Sequence, residues 1–515
     1  MALLLLLVEN AGETVSRDEI FKVLWPGVIV TDDTLTQAVI KLRKALGDSA
    51  KDSRFIQTVT KRGYRLCVPV TVPSDPISKS SKIFKPLLLI SLLMVILAGG
   101  VISYWNANPD VAEIPAVITV VESSTDGLPT LTVEPFVLLG EDTSQLYLAQ
   151  GLTQDLITDL SRLSALWVIG SRSVMGQKAD KTKLTQVRYR VVGEVQRSGD
   201  QLRVYVDLIE VESGRQLWAE RYQRPFNDLF KLQTEISQQI ATTLSLKVSE
   251  AEQLRLAHRY TTNVQAYELF LKAQSLLLVR EEAANNQARQ IYRQAIALDP
   301  SFARAYAGLA LSAAADYRNQ WAANGEIALQ RAKTMARTAL QINPDIPEVY
   351  WVLAYVNAQQ RQHDKALRLL SKAISLDHSF ADAYALMGGI HTYTGHPDET
   401  PKLLRTAIRL NPDAGYLYYL LLGRAYFYTG DWEQSLINLN EALDRNPTNL
   451  EARIYLAAVM ESMGNHQDAI WEADEIRSLQ DDFNIDIWLN TYPMTSADLT
   501  QKLRHFLVPL GLSNS

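Results

Sequence analysis

The side chains with the clearest chemical potential lie near the N-terminus, where threonine, glutamine, lysine and arginine recur. They fall into two groups: Thr34, Thr36, Gln37, Lys41, Arg43 and Lys44 in one, and Lys61 with Arg62 in the other. Threonine and glutamine can hydrogen-bond to base edges, and lysine and arginine can contact guanine or backbone phosphates. These residue types and their spacing therefore favour contact with a nucleic acid, provided that the residues of the first group lie on one helix face.

The surrounding sequence predicts the elements that such contacts need. A capping box at Ser16-Arg-Asp-Glu19 starts a short helix that ends at Trp25-Pro26-Gly27. A second helix is predicted from 33 to 46, with the first polar group opposite an apolar stripe. That stripe consists of Leu35, Val39, Leu42 and Leu46. Segments 55–59 and 64–68 alternate as two strands, so Lys61 and Arg62 lie at a hairpin tip.

This order of elements is typical of a winged helix-turn-helix. The runs VSRDEIFKVLWPG, VTDDTLTQAVIKLRKALGD and FIQTVTKRGYRL resemble the winged-helix domain shared by OmpR-type response regulators and the CadC and ToxR regulators. The resemblance implies that the helix from Asp33 to Leu46 reads double-stranded promoter DNA and that Lys61 and Arg62 are wing contacts. No receiver domain precedes this segment, so phosphorylation control is not expected.

The N-terminal domain, residues 1–72, departs from the family because members begin with a small antiparallel sheet that this sequence lacks. Without that sheet, Leu3 to Val8 are expected to lose their packing surface and to expose apolar area. Either the start codon is misassigned or the domain is crippled. The undamaged remainder of the motif favours misassignment.

An uncharged run predicts a membrane helix. Between Lys85 and Asp110 there are 24 residues without a charge, enough for a helix over 86–105 to cross a bilayer. Lysines in the linker 73–85 precede it and acidic residues follow in the tether 106–128, which predicts a single-pass protein of the cell inner membrane with a cytoplasmic N-terminus and periplasmic C-terminal domains.

Charge and cysteine content limit the possible functions. The net charge is −6, yet residues 1–85 hold 13 Lys and Arg against 9 Asp and Glu, a net charge of +4. A basic N-terminal part suits a polyanion. The single cysteine, Cys67, excludes a disulfide within the chain, and the scattered histidines show no metal-ligand spacing. No cofactor and no metal site are predicted.

Residues 129–250 alternate between strand and helix patterns and predict an α/β domain. EPFVLLGEDTSQLYLAQGLTQDLITDLSRLSALWVIGSRSV and VVGEVQRSGDQLRVYVDLIEVESGRQLWAERYQRP resemble the TolB N-terminal-like domain. Four acidic residues there could be considered for acid–base catalysis, but they are expected to be solvent-face charges because nothing positions a second group beside them. They are Asp155, Asp159, Glu194 and Asp207.

Residues 263–480 repeat a helix-ending motif at Asp299, Asn343, Asp377, Asn411 and Asn446, spaced 44, 34, 34 and 35 residues apart. This matches the tetratricopeptide period. About five repeats are expected, with residues 481–515 as a C-terminal cap or tail. Tyrosines at repeat-long spacing are expected to be core residues rather than a ligand stripe: Tyr350, Tyr384 and Tyr419.

The predicted fold class is multidomain: a truncated winged helix-turn-helix, a single transmembrane helix, an α/β TolB-N-like domain and an all-α tetratricopeptide solenoid. The predicted function is a membrane-integrated one-component transcription regulator that senses an extracytoplasmic signal. Its partners would be promoter DNA, the inner membrane, a protein on the concave face of the repeats and a second copy of the chain. The alternative is a membrane-anchored tetratricopeptide scaffold for envelope proteins that does not bind DNA. No nucleophile–base pair or phosphate loop indicates an enzyme.

Overall fold

The computed structural model describes most of the C-terminal two-thirds of the chain and parts of the N-terminal domain. The described residues are 2–16, 19, 20, 23, 39, 42, 43, 54–59, 63–68, 128–140, 142–170, 187–257 and 260–513. The described residues between 2 and 68 and between 128 and 513 belong to one compact unit.

The N-terminal domain has one described helix packed on a three-stranded antiparallel sheet. Helix α1 is Ala2–Glu9, and the strands are β1 (Thr14–Ser16), β2 (Ile56–Val59) and β3 (Gly63–Leu66). Strand β3 is central, in the order β1-β3-β2. The predicted hairpin of β2 and β3 is present, with Thr58 opposite Tyr64. Strand β1 was not predicted.

The expectation that Leu3 to Val8 would be exposed is wrong. Leu3, Leu6 and Leu7 are at most 7% exposed and pack with residues of the sheet such as Ile56 and Tyr64. Strand β1 supplies a third strand that sequence reasoning had not anticipated, and so gives the helix a surface to bury its leucines. One of the two hydrogen bonds of the predicted capping box is present, because the Glu19 amide donates to Ser16 Oγ at 3.2 Å.

The α/β domain is built on a mixed sheet with helices. Its strands are β4 (Thr130–Val133), β5 (Val137–Leu138), β6 (Trp167–Gly170), β7 (Tyr189–Ser198), β8 (Gln201–Glu210) and β9 (Gln216–Pro225). The order is β6-β4-β7-β8-β9, and β4 runs parallel to both of its neighbours. The helices are α2 (Leu146–Ser161), α3 (Leu229–Thr243) and α4 (Glu250–Ala257).

Within residues 260–513 the chain forms six consecutive helix pairs, one more than expected. The pairs are α5 (Val264–Val279) with α6 (Glu282–Leu298), α7 (Ala303–Arg318) with α8 (Gly325–Ile342), α9 (Pro347–Gln359) with α10 (His363–Leu376), α11 (Ala381–Tyr393) with α12 (Thr400–Leu410), α13 (Tyr416–Thr429) with α14 (Trp432–Arg445), and α15 (Leu450–Ser462) with α16 (His466–Leu479). Two further helices follow, α17 (Ile485–Thr491) and α18 (Ala497–Leu507).

Small residues let the two helices of a pair approach closely. A Cβ at Gly423 would lie 2.7 Å from Leu439 Cγ of the following helix, and one at Gly388 would overlap the Leu404 side chain. Gly430 has φ of +85° where α13 turns into α14, a left-handed conformation that glycine adopts without strain. The sequence pattern predicted these positions, because the repeat places a small residue in each first helix.

The predicted membrane helix over 86–105 lies outside the described residues. Among the helices that the structure does describe, none has both the length and the apolar character needed to cross a bilayer. The fold class is corrected accordingly: the described elements give a winged-helix domain, an α/β domain and a helical repeat array, without a transmembrane helix. The predicted location at the cell inner membrane stays a prediction.

The α/β domain and the first repeats share one hydrophobic core. Leu148 and Leu152 of α2 are fully buried in the same cluster as Phe270 and Phe302 of the repeats. Hydrogen bonds also join the α/β domain to the repeats. The Val168 amide donates to Ser379 Oγ at 3.1 Å, and His378 Nε2 donates to the Leu166 carbonyl at 2.7 Å. The motif at the end of the third pair therefore serves as a docking edge for the α/β domain.

The prediction that the four acidic residues are solvent-face charges is wrong for Asp155 and Asp159. Asp155 is 4% exposed and accepts hydrogen bonds from Arg304 Nη1 (2.8 Å), Gln233 Nε2 (3.0 Å) and the Tyr267 hydroxyl. Burial, together with the nearby Asp155 charge, raises the pKa of Asp159 to about 7. These contacts join α2 to the repeats, so the two carboxylates belong to the interface between the α/β domain and the repeats.

Asp377 belongs to the same interface between the α/β domain and the repeats, and it makes the stability of that interface depend on pH. Its carboxylate accepts from Ser161 Oγ at 3.0 Å and from the Ser379 amide at 2.9 Å. Burial raises its pKa to about 7, and the charge of Glu348 adds to the rise. Because the pKa of Asp377 in the folded protein lies above the ordinary value of 3.8, stability falls as pH rises from about 4 to about 7.

Asp377→Asn is therefore expected to raise the melting temperature at pH 8 by about 2–4 °C, since asparagine needs no buried charge. The difference should shrink as pH falls toward 4.5, as scanning calorimetry of the full chain can measure. Asp299→Asn is the matched control at the equivalent repeat position. Burial opposes ionisation there, but hydrogen bonds from Ser301 and Thr261 lower the pKa of Asp299, so this change should destabilise at pH 8. A higher melting temperature at pH 8 in both variants would contradict the assignment of the effect to the buried charge of Asp377.

Candidate nucleic-acid interface

The candidate interface rests on the hairpin of β2 and β3. Strand β3 is paired on both sides, with Tyr64 opposite Val15 of β1 and Thr58 of β2. At Gly63 a Cβ would overlap the Val15 carbonyl oxygen. Only glycine lets the strand that leaves the basic tip approach β1 this closely. Gly63 is therefore a positioning residue for the tip, and the sequence prediction did not single it out.

Arg43, predicted to contact DNA, is the member of the predicted set that the structure describes. Its side chain is 4% exposed. Its Nη2 donates to the Ile56 carbonyl at 3.0 Å and to Thr58 Oγ1 at 2.8 Å. The guanidinium thus ties the predicted recognition helix to β2, and in this arrangement it does not face solvent. The sequence pattern could not predict these hydrogen bonds of Arg43, because their acceptors lie 13 and 15 residues further along the chain.

The other seven predicted contact residues lie outside the described residues, and their roles stay predictions. They are Thr34, Thr36, Gln37, Lys41 and Lys44 on the helix, and Lys61 and Arg62 on the tip. Near them, Val39 is 1% exposed in the same core as Leu7 and Ile56. Val39 belongs to the predicted apolar stripe and is buried as the pattern indicated, while Leu35 and Leu46 of that stripe lie outside the described residues.

Alanine substitutions at Arg43 and Lys41 should have different effects on stability and on DNA binding. Arg43→Ala removes the guanidinium that donates to the Ile56 carbonyl and to the Thr58 hydroxyl, so it should lower the stability of the N-terminal domain by about 1–3 kcal/mol. It should also weaken binding to all DNA sequences alike, because the helix is no longer fixed on β2. Lys41→Ala is expected to weaken binding without a stability loss. Thermal melts and duplex titrations check both, and a stable Arg43→Ala variant with altered base preference would contradict the structural role.

Comparison with known proteins agrees with this arrangement. Residues 1–66 match the family model described as transcriptional regulatory protein, C terminal, and residues 420–478 match the tetratricopeptide repeat. The transcriptional activator CadC of Escherichia coli (strain K12) is 22% identical over 467 residues, which are 81% of this chain and 89% of that protein. The cholera toxin homolog transcriptional activator of Vibrio parahaemolyticus serotype O3:K6 is 43% identical over 83 residues, 16% of this chain and 28% of that protein.

The chain is similar to the CadC-type transcriptional regulators. This family combination, a winged-helix regulatory domain and tetratricopeptide repeats, is the one that the sequence motifs predicted. A protein of Rhizobium meliloti (strain 1021) that is named as an adenylate cyclase is 30% identical over 268 residues, 51% of this chain. The chain spans 46% of that protein's length. The regulatory-domain match and the similarity to CadC are both to transcriptional regulators.

Proposed function

We propose that this protein regulates transcription by binding double-stranded promoter DNA through its winged-helix domain, while its α/β domain and repeats receive a signal or a protein partner. The observation that supports it most is the regulatory-domain match over residues 1–66. The buried core of α1 and the three-stranded sheet supports it further, because Leu7, Ile20 and Ile56 are each 0% exposed. A formed core can hold a helix and a wing against DNA.

The same chain would carry both the DNA-binding part and the receiving part. The α/β domain and the repeats share a continuous core and a buried ion pair, Arg304 with Asp155. A partner bound to the repeats would therefore act on a rigid body rather than on separate modules. Transmission to the DNA-binding domain is proposed to work through dimerisation, because two winged helices on adjacent half-sites bind more tightly than one.

The proposal is tested with purified full-length protein and a labelled promoter duplex in a fluorescence anisotropy titration. Lys61→Ala/Arg62→Ala is expected to reduce affinity at least tenfold. It should also lower the slope of log K against log salt by about 2, since each lost phosphate contact contributes about 0.9. Lys79→Ala/Lys82→Ala, from the predicted linker, is the matched control. Equal loss of affinity in both variants would contradict the role of the wing, and no DNA binding by folded wild-type protein would favour the alternative of a repeat scaffold.

A further inference from the structure

A short segment near the C-terminus lies across the first helices of four successive repeat pairs. We call it the strap, residues 490–496, Asn-Thr-Tyr-Pro-Met-Thr-Ser. Its first two residues end helix α17, and the chain is extended from Tyr492 onward. It contacts residues at the ends of α9 and α11 and along α13 and α15. The first helices of the pairs line the inner face of such an array, the surface that is open to extended peptides. The predicted role of this region as a simple end cap therefore leaves these contacts unexplained.

The strap is held by its main chain, as a bound peptide would be. Arg361 Nη2 donates to the carbonyls of Asn490 (2.8 Å) and Tyr492 (2.9 Å). The amides of Thr495 and Ser496 donate to the Tyr393 carbonyl at 3.0 and 3.3 Å. Backbone hydrogen bonds of this kind fix an extended segment without regard to its side chains.

Two strap side chains enter the groove and give it selectivity. Tyr492 is 7% exposed, its hydroxyl contacts Arg424 and Glu451, and its ring meets that of Tyr393 edge to face at 5.4 Å. Met494 is 6% exposed and accepts from the Tyr428 hydroxyl at 3.8 Å. The groove thus presents an aromatic pocket with an arginine and a carboxylate for a phenol, followed by an apolar pocket.

The strap leaves two polar groups of the groove unmatched. His363 is 5% exposed, and its Nε2 donates to the Pro493 carbonyl at 2.8 Å. Burial lowers the pKa of His363, so its Nδ1 is an acceptor, and the described residues supply no donor to it. Arg424 is 0% exposed, and its Nε likewise has no acceptor among the described residues. Unmatched buried groups weaken an interaction, so a peptide that satisfied them would bind more tightly.

We propose that this groove is a binding site for an extended peptide of a partner protein that carries tyrosine, proline and an apolar residue in succession, and that the strap is its built-in competitor. The partner peptide would take the place of the strap, with its tyrosine between Arg424 and Glu451. Release of the strap would free residues 490–496 from the inner face. The proposal goes beyond DNA binding and does not depend on it.

The test uses the full chain and a fluorescein-labelled peptide of residues 489–497. Tyr492→Ala removes the strap's main anchor and should bind the peptide at least tenfold more tightly than the wild type, as measured by fluorescence polarisation. Thr491→Ala is the matched control, because Thr491 is the exposed last residue of α17, and it should bind as the wild type does. Adding His363→Ala to Tyr492→Ala should remove most of the gain. A peptide with the same composition in scrambled order should not compete.

Hydrogen exchange on the wild type gives a second measurement that needs no variant to fold. At saturating peptide, the amides of Thr495 and Ser496 should lose protection, since their acceptor is the Tyr393 carbonyl. A folded Tyr492→Ala variant that binds the peptide no more tightly than the wild type would overturn the proposal. Unchanged protection of both amides at saturation would overturn it as well, because the peptide would then bind elsewhere.

Discussion

Asp155→Ala is expected to lower the free energy of unfolding of the full chain by about 3–5 kcal/mol, the usual loss when one partner of a buried ion pair is removed. Arg304 would be left 6% exposed over the rings of Tyr260 and Phe270, at 4.6 and 4.7 Å, without its carboxylate. Gln233 Nε2 would also lose one of its two acceptors, the Asp155 carboxylate at 3.0 Å, and keep the Tyr267 hydroxyl at 2.7 Å. Urea denaturation followed by tryptophan fluorescence measures the loss.

Asp207→Ala is the control, since Asp207 makes one surface hydrogen bond, from Gln216 at 3.0 Å, and should change stability by less than about 0.5 kcal/mol. Replacing the pair together, as Asp155→Leu/Arg304→Met, should recover much of the loss, because apolar residues of similar volume pack without desolvating charges. Equal midpoints for Asp155→Ala and Asp207→Ala would mean that the buried pair does not join the α/β domain to the repeats.

Gly63→Ala is expected to abolish DNA binding and to destabilise the N-terminal domain by more than about 3 kcal/mol. The new methyl group would overlap the Val15 carbonyl, and a strand backbone cannot yield as a flexible side chain can. Strand β3 would separate from β1, and the hairpin that carries the basic tip would lose its support. Duplex titration measures the binding, and hydrogen exchange of residues 2–16 and 63–68 measures the local stability.

Gly12→Ala separates crowding from backbone strain in the same domain. Gly12 has φ of +89°, but nothing lies within 4 Å of its added Cβ. Gly12→Ala should therefore lower the stability of the N-terminal domain by about 1 kcal/mol, from the left-handed conformation alone. DNA binding should be retained. Residues 128–513 should keep their hydrogen exchange pattern in both variants. Wild-type DNA affinity in Gly63→Ala would contradict the close β1–β3 approach.

Local patterns predicted most of the elements. The capping box at Ser16, the hairpin of β2 and β3, and the helix turn at Gly430 each depend on residues a few positions apart, so the sequence carried their full signal. The tetratricopeptide period likewise placed the repeats. Six pairs are present where about five were expected, and the last pair ends at Leu479 and Gln480 without the Asn-Pro, Asp-Pro or Asp-His motif that closes the others.

The candidate site was predicted less completely than the elements, because its geometry depends on distant pairs. Arg43 was assigned to DNA by its type and helix face, while its partners in β2 are identified only when the helix packs on the sheet. Asp155 was assigned to solvent because Arg304, 149 residues away, gives no local signal. A charged residue in an amphipathic pattern indicates a polar environment, and a buried ion pair is also polar.

The measurement that tests the central claim most directly is crosslinking of the full-length protein to DNA in living cells, followed by sequencing, beside the Lys61→Ala/Arg62→Ala variant. The account predicts discrete peaks at promoters in the wild type and their loss in the double variant at equal protein level. Peaks that persist in the double variant would contradict the role assigned to the wing. An empty map from well-expressed, folded wild-type protein would contradict the regulator itself.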